Sequence, residues 1–274
     1  MTSVKMHDVD LHIDKKKILD NINVELLSGK ITTIIGPNGC GKSTMLKTVS
    51  NILHADGGAV YINDLDIRQM KSKQLAQKVS ILSQRNRLQY DLKVMDLVSF
   101  SRYPYLKRFQ GLKPDDYKII HWALEETGAD LFRDRMMSEL SGGQAQRVWI
   151  SLLLAQGADI LLLDEPTTYL DIHHQLETLN IIQRLNQKTH QTVVMVLHDI
   201  NQAIKYSDHI VVMDEGRVIK TGTPSEVLTN EVLNEVFNIN GKIITDPVTK
   251  KPVLSDYELF CHTVGGTEVV SNEK

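Results

Sequence analysis

Gly36-Pro37-Asn38-Gly39-Cys40-Gly41-Lys42-Ser43-Thr44 decides how this chain must fold. It fits the pattern GxxxxGK[ST] and lies between an apolar run, Ile31 to Ile35, and a helix-compatible stretch that begins at Lys42. Holding a phosphate requires main-chain N–H groups that converge on an anion; the glycines let the loop wrap closely, and the helix N-terminus that follows adds its favourable field. Lys42 is then placed to reach the β and γ phosphates of a nucleotide, and Ser43 to ligate Mg²⁺. Every residue of the loop, from Gly36 through Pro37, Asn38, Gly39, Cys40, Gly41, Lys42 and Ser43 to Thr44, is a candidate nucleotide contact. A strand, a phosphate loop and a helix in that order predict an α/β protein built on a mainly parallel sheet.

The same arrangement, a buried strand followed by a polar residue, recurs three times. Ile160 to Leu163 ends in Asp164-Glu165-Pro166, and open parallel sheets present ligands at the C-terminal ends of their strands. Asp164 suits Mg²⁺ coordination, and Glu165 suits a general base that polarises an attacking water. His198 follows Val193 to Leu197, and Gln84 follows Val79 to Leu82. Four strand ends are thus expected to converge on one crevice. A lone histidine at such a place is more often structural, so a catalytic role for His198 rests on the company it keeps.

The rest of the chain narrows the class. Its 274 residues carry 31 basic and 34 acidic side chains, a net charge of −3 that argues against a nucleic-acid binder. No run approaches the roughly 18 apolar residues of a membrane span. Met1 to Asp10 has no apolar signal core, and the only two cysteines, Cys40 and Cys261, form no CxxC pair; both observations favour a cytoplasmic protein with reduced thiols. Val4 to Leu11 and Ile22 to Leu26, with a polar turn at Asp14 to Lys17, predict an antiparallel sheet beside the main one. Helices are expected over Lys42 to Leu53 and about Asp171 to Gln187. From about Arg85 to Gly157 strand patterning gives way to helix punctuation, with Pro114 opening and Gly128 closing a helix, which predicts an inserted helical subdomain. Thr223-Pro224-Ser225-Glu226 has capping-box spacing. The division expected is one domain over 1–240 and a small C-terminal extension over 241–274, with a β-unit around Asp246-Pro247 and a frayed end from Gly265 to Lys274.

Leu140-Ser141-Gly142-Gly143-Gln144 precedes a second helix-compatible stretch, Ala145 to Gln156. Glycines at a helix start expose unsatisfied N–H groups, so this is a second anion site with no phosphate loop of its own. The ordered set of phosphate loop, Gln84, LSGGQ, Asp164-Glu165, Asp171 and His198 resembles the ABC transporter ATPases over most of the chain. That resemblance implies the P-loop NTPase fold of the ABC type, with ATP and Mg²⁺ bound. It implies Glu165, His198 and Gln84 as catalytic residues and Ser43, Gln84 and Asp164 at the metal. Two cassettes would pack head to tail, so that Ser141, Gly142, Gly143 and Gln144 of one approach the γ-phosphate held by the other, with Asp171 coupling the two sites.

Finer cues point to a subgroup. Glu165 to Glu177 (EPTTYLDIHHQLE) looks like the ATPases of bacterial iron-siderophore and cobalamin importers, and Ser101-Arg102-Tyr103-Pro104-Tyr105 resembles that group's GRxPH segment, with Ser101 and Tyr105 departing from it. Asp246 to Pro252 (DPVTKKP) resembles extensions of ferric-hydroxamate importers. The function implied is ATP hydrolysis that energises ferric-siderophore uptake through separate permease subunits and an extracytoplasmic binding protein, from the cytoplasmic face of the membrane. A cobalamin or haem importer, or a soluble non-transport ABC ATPase, is the alternative. Where many family members stack a tyrosine on adenine, this chain has Ile13, leaving the stacking weaker or partly to His12. His173 and His174, adjacent on a helix, are expected to point apart and not to bind metal; Lys15 to Lys17 read as a solvated turn. Cys40 reads as a small space-filling residue, although a helix N-terminus nearby can favour a thiolate.

Overall fold

The computed structural model describes residues 3–84, 89–260, 262–264 and 267–269. The chain opens with a hairpin of β1 (Val4–Ile13) and β2 (Lys16–Leu26), closed by Asp14 and Lys15, both left-handed at φ 48° and 70°. A two-residue turn of that kind matches the twist of the strands, so Ile13 already faces Lys16 and β2 begins there rather than at Ile22. β3 (Ile31–Ile35) runs into the phosphate loop and α1 (Lys42–Val49). α1 stops short of the expected Leu53 because Ser50 caps it and Asn51 turns left-handed at φ 57°. β4 (Gly57–Ile62) and β5 (Leu65–Asp66) then join the hairpin as a four-stranded antiparallel sheet in the order β2-β1-β4-β5.

After α2 (Ser72–Ala76) and β6 (Val79–Leu82), the helical subdomain supplies α3 (Val94–Ser99), a 3₁₀ segment over Phe100–Tyr105, α4 (Pro114–Thr127) and α5 (Gly142–Gln156). Residues 85–88, at its expected start, lie outside the described residues. α4 begins as its punctuation predicts: Pro114 is first in the helix, the Asp116 carboxylate accepts the Lys113 N–H at 2.9 Å, and Gly128 closes it at φ 69°. Arg102 holds this subdomain together from inside. Its Nε donates to Asp116 Oδ1 at 2.9 Å, its Nη1 to the Ala155 carbonyl at 2.7 Å, and the guanidinium lies 4.0 Å from the Tyr105 ring centroid.

Six strands make the central sheet. β7 (Ile160–Asp164), α6 (Ile172–Thr189), β8 (Thr192–Val196), α7 (Ile200–Tyr206), β9 (His209–Asp214) and β10 (Arg217–Gly222) complete the order β10-β9-β3-β8-β7-β6, parallel except for β10. Its apolar strands feed both faces. Leu161 and Leu163 join the core under α5 and α6, while Ile160 and Leu162 join the core shared with α1 and the antiparallel sheet. This explains why β7 and β8 read as unbroken hydrophobic runs instead of alternating.

The chain continues through α8 (Pro224–Val227), capped as expected by Glu226 Oε2 on the Thr223 N–H at 2.7 Å, and α9 (Asn230–Phe237). β11 (Ile239–Thr245) and β12 (Pro252–Leu259) form the C-terminal hairpin, whose Leu254 is buried in the main core. Asn201 pairs with the Leu254 main chain in both directions, at 2.9 and 3.0 Å, and Lys251 Nζ donates to the carbonyls of Ile204, Lys205 and Ser207. The expected fraying of Gly265 to Lys274 falls partly outside the described residues; within it, β14 (Thr267–Val269) is a strand paired with β13 (His262–Val264). No helix among the described residues is long and apolar enough to cross a membrane.

Candidate nucleotide and catalytic site

The phosphate loop leaves β3 at Gly36, whose φ of 152° places a hypothetical Cβ 2.0 Å from the Met213 carbonyl oxygen, so glycine alone fits there. Gly41 enters α1 in the left-handed region, and no acidic residue occupies the first turn, so the N–H groups at the start of α1 face the loop without a competing carboxylate. Lys42 is buried, and its ammonium donates to the carbonyls of Gly36 at 2.9 Å and Pro37 at 2.7 Å. These bonds curl the loop around the amine. A cleft of about 490 Å³ opens beside it, lined by Asn38, Gly39, Lys42, Ser43, Thr44 and Glu165 together with Ile13 and Lys16 of the first hairpin.

Two acidic side chains at the end of β7 behave differently because their surroundings differ. Asp164 is 3% exposed and accepts the Ser43 hydroxyl at 2.7 Å. Burial pushes its carboxyl above the ordinary range; the Ser43 hydrogen bond acts against that, and the neighbouring Glu165 charge adds to it. Glu165 leaves the strand at φ 53°, a left-handed conformation that a glutamate rarely takes and that turns its carboxylate out of the line of β7. Oε1 meets His198 Nε2 at 2.6 Å, and Oε2 accepts from Gln84 Nε2 at 2.5 Å and Thr168 Oγ1 at 2.9 Å. Burial alone would raise this carboxyl, but the bonds from Thr168, His198 and Gln84 outweigh it and hold the group below the usual range.

The three catalytic residues expected from sequence, Gln84, Glu165 and His198, therefore meet in one cluster at the ends of β6, β7 and β8. Thr168 belongs to it and was not foreseen; the only hint was its place in the tight turn after Pro166. Among the expected metal ligands, Ser43 and Asp164 stand together, while the amide nitrogen of Gln84 is engaged by Glu165. A hydroxyl, a carboxylate and an amide oxygen are all hard donors, the set that Mg²⁺ takes.

Ser141, Gly142, Gly143 and Gln144 are not among the residues that line this cleft. Ser141 caps α5, with Gln144 Oε1 accepting the Ser141 N–H at 3.1 Å and Ser141 Oγ accepting the Gln144 N–H at 3.4 Å. Asp171 caps α6 by accepting the His174 N–H at 2.9 Å. Gly142 is close to Leu170, so the two helix starts lie side by side.

The structure bears on three further expectations and overturns the last. His12 gives both its N–H and its ring Nδ1 to Asp56, at 2.6 and 3.0 Å, and does not line the cleft, where the hairpin's apolar side chains are Ile13, 40% exposed, and Ile18. Cys40 is buried, as its reading as a small space-filling residue expects, and burial pushes its thiol up rather than towards a thiolate. His173 and His174 do not point apart: both reach Glu177, which also takes Arg147 at 2.7 Å.

Residues 19–168 match the family model described as ABC transporter. The iron(3+)-hydroxamate import ATP-binding protein FhuC of Bacillus subtilis (strain 168) is 46% identical over 260 residues, covering 95% of this chain and 97% of that protein. The ferric enterobactin transport ATP-binding protein FepC of Escherichia coli (strain K12) is 38% identical over 240 residues, covering 88% and 89%. Among solved structures, the dimeric post-hydrolysis state of the ATP-binding cassette MJ0796 bound to ADP and Pi is similar with a TM-score of 0.69 at 28% identity, covering 80% of this chain and 98% of that one. Identity of this extent, across proteins that the chain spans almost end to end, has one meaning: the chain belongs to the ABC transporter family, as one of its ATPase cassettes.

Proposed function

We propose that this cassette hydrolyses MgATP to energise uptake of ferric siderophores of the hydroxamate class, working as a head-to-tail homodimer docked on separate permease subunits at the cytoplasmic face of the membrane. An extracytoplasmic binding protein would deliver the cargo. The observation that carries the cargo assignment is the likeness to FhuC over 95% of the chain, which includes the C-terminal hairpin. The chemistry rests on the cluster around Glu165.

The N–H groups of the Gly36–Thr44 loop and of the first turn of α1 receive the phosphates. Lys42 exchanges two carbonyl acceptors for phosphate oxygens. Mg²⁺, held by Ser43 and Asp164 with Gln84 nearby, would offset the phosphate charge. Glu165 accepts the proton of the attacking water; its lowered carboxyl keeps it ionised at neutral pH, and His198, Gln84 and Thr168 keep it aimed. Ser141 and Gly143 of the twin subunit supply the remaining anion contacts, so loss of the γ-phosphate loosens the pair.

Docking is assigned to the helical subdomain between Gln84 and Tyr105, where Phe100 and Tyr103 are exposed while Arg102 is buried. Cross-links to the permease are therefore expected from positions 100 and 103. The test of cargo is uptake of ⁵⁵Fe-loaded hydroxamate siderophore by cells that carry the chain or its Glu165→Gln form beside their permease. Uptake that needs the intact chain supports the assignment. Normal ferric uptake alongside failed cobalamin or haem uptake on deletion refutes it.

A further inference from the structure

The second anion site begins with two glycines, residues that on their own leave a helix start prone to fray. The Ser141–Gln144 capping bonds hold that start from within α5, and contacts from α6 add to them. Gly143 packs so closely on the His174 ring that a Cβ at this position would lie 2.6 Å from the ring Cγ. His174 Nδ1 meets Glu177 Oε2 at 2.9 Å, and the other carboxylate oxygen, Oε1, accepts Arg147 Nη2 at 2.7 Å. Arg147 is one turn beyond Gly143 on α5, and His174 and Glu177 are on the opening turns of α6. The chain of contacts Gly143, His174, Glu177, Arg147 is thus a closed loop across the two helices. Its side chains are about two-thirds or more covered, and Gln146 Nε2 adds a bond from α5 to the Pro166 carbonyl at 2.8 Å. A carboxylate can only accept, so Nδ1 of His174 carries the proton in this contact.

We propose that His174 is a positioning residue for the anion site formed between subunits: with Glu177 and Arg147 it clamps the first turn of α5 to the first turn of α6. The Ser141–Gly143 cradle and Asp171 are then presented to the twin as one rigid surface. Pre-ordering of this kind strengthens association because less freedom is lost when the pair forms. The inference rests on the head-to-tail reading above. It assigns the clamp no part in binding ATP to the chain's own cleft, from which these residues are absent.

The test separates the two. In a Glu165→Gln background, which retains ATP, dimer formation with MgATP is measured by sedimentation, and binding of a fluorescent ATP analogue is measured on the dilute monomer. His174→Ala is expected to leave monomer binding unchanged and to weaken the dimer by about tenfold or more, with part of the loss recovered in His174→Gln, which keeps a donor for Glu177. A folded His174→Ala protein that dimerises like its parent overturns the clamp while the head-to-tail reading stands. Failure of the Glu165→Gln parent itself to dimerise overturns both. If His174→Ala does not fold, Glu177→Gln decides by the same measure: a weakened dimer supports the clamp and an unchanged one overturns it.

Discussion

His198 Nε2 lies 2.6 Å from Glu165 Oε1, joining the residues that follow two adjacent parallel strands. The contact sets how the carboxylate ionises as well as where it points. Glu165→Gln should retain ATP and slow hydrolysis by about 10² to 10⁴ fold, the usual loss for a general base. Because its carboxyl is held low, the stability and the activity that it supplies are present above the ordinary glutamate range and are lost as pH falls through its depressed value. The acid limb of kcat against pH should therefore lie below that range and move up in His198→Ala. A limb above the range that His198→Ala leaves in place would contradict this.

Asp164 has the opposite sign. Its folded-state carboxyl is raised by burial, so the unfolded chain releases this proton first, and the ionised group costs stability as pH climbs past its unfolded value. Asp164→Asn, which keeps an acceptor for Ser43, should match or exceed the parent's melting temperature at neutral pH, with the difference closing in acid. Mg²⁺-dependent hydrolysis should fall sharply in the same protein. Parallel loss of stability and activity would show that Asp164 is structural.

Arg102 is expected to behave in the conventional structural way. Its side chain and that of Asp116 are 7% and 10% exposed, so Arg102→Ala strands a buried carboxylate at the start of α4. The expected cost is about 3–5 kcal/mol in denaturant unfolding, with a smaller loss for Arg102→Lys, which keeps the charge without the planar fork. An effect below about 1 kcal/mol, the scale of an exposed pair, would show that the pair is solvated.

Much of this architecture is legible in the sequence, and the limits have physical causes. Four of the five parallel strands, β3, β6, β7 and β8, are legible because strands covered on both faces have no polar side to interrupt them. The starts of α4 and α8 were readable because capping is local. β4 and β10 escaped because each is defined by its antiparallel partner, β1 or β9, and not by its own pattern. Gln84, Glu165 and His198 are legible from strand ends; Thr168 depends on the left-handed turn that bends the chain back at Glu165, and the contacts of Arg147 with Glu177 and of Gly143 with His174 depend on how α5 meets α6, which no spacing records. The His12–Asp56 contact is hidden from the sequence for the same reason, its partners being distant along the chain.

Cys40 supplies a check on the loop. Its thiol is buried and pushed up, so alkylation of the native protein at neutral pH should be slow relative to a free thiol, and MgATP should slow it further. Peptide mapping by mass spectrometry reads the modified fraction. Once alkylated, the chain should bind nucleotide poorly; rapid modification with full binding would place Cys40 away from the phosphates.

The most direct measurement is turnover per chain followed down a dilution series, with the dimer fraction determined by sedimentation in the same buffer and MgATP. If the catalytic cleft is finished by the twin's Ser141 and Gly143, activity per chain falls in step with the dimer and vanishes where only single subunits remain. Undiminished turnover at those dilutions would contradict the account.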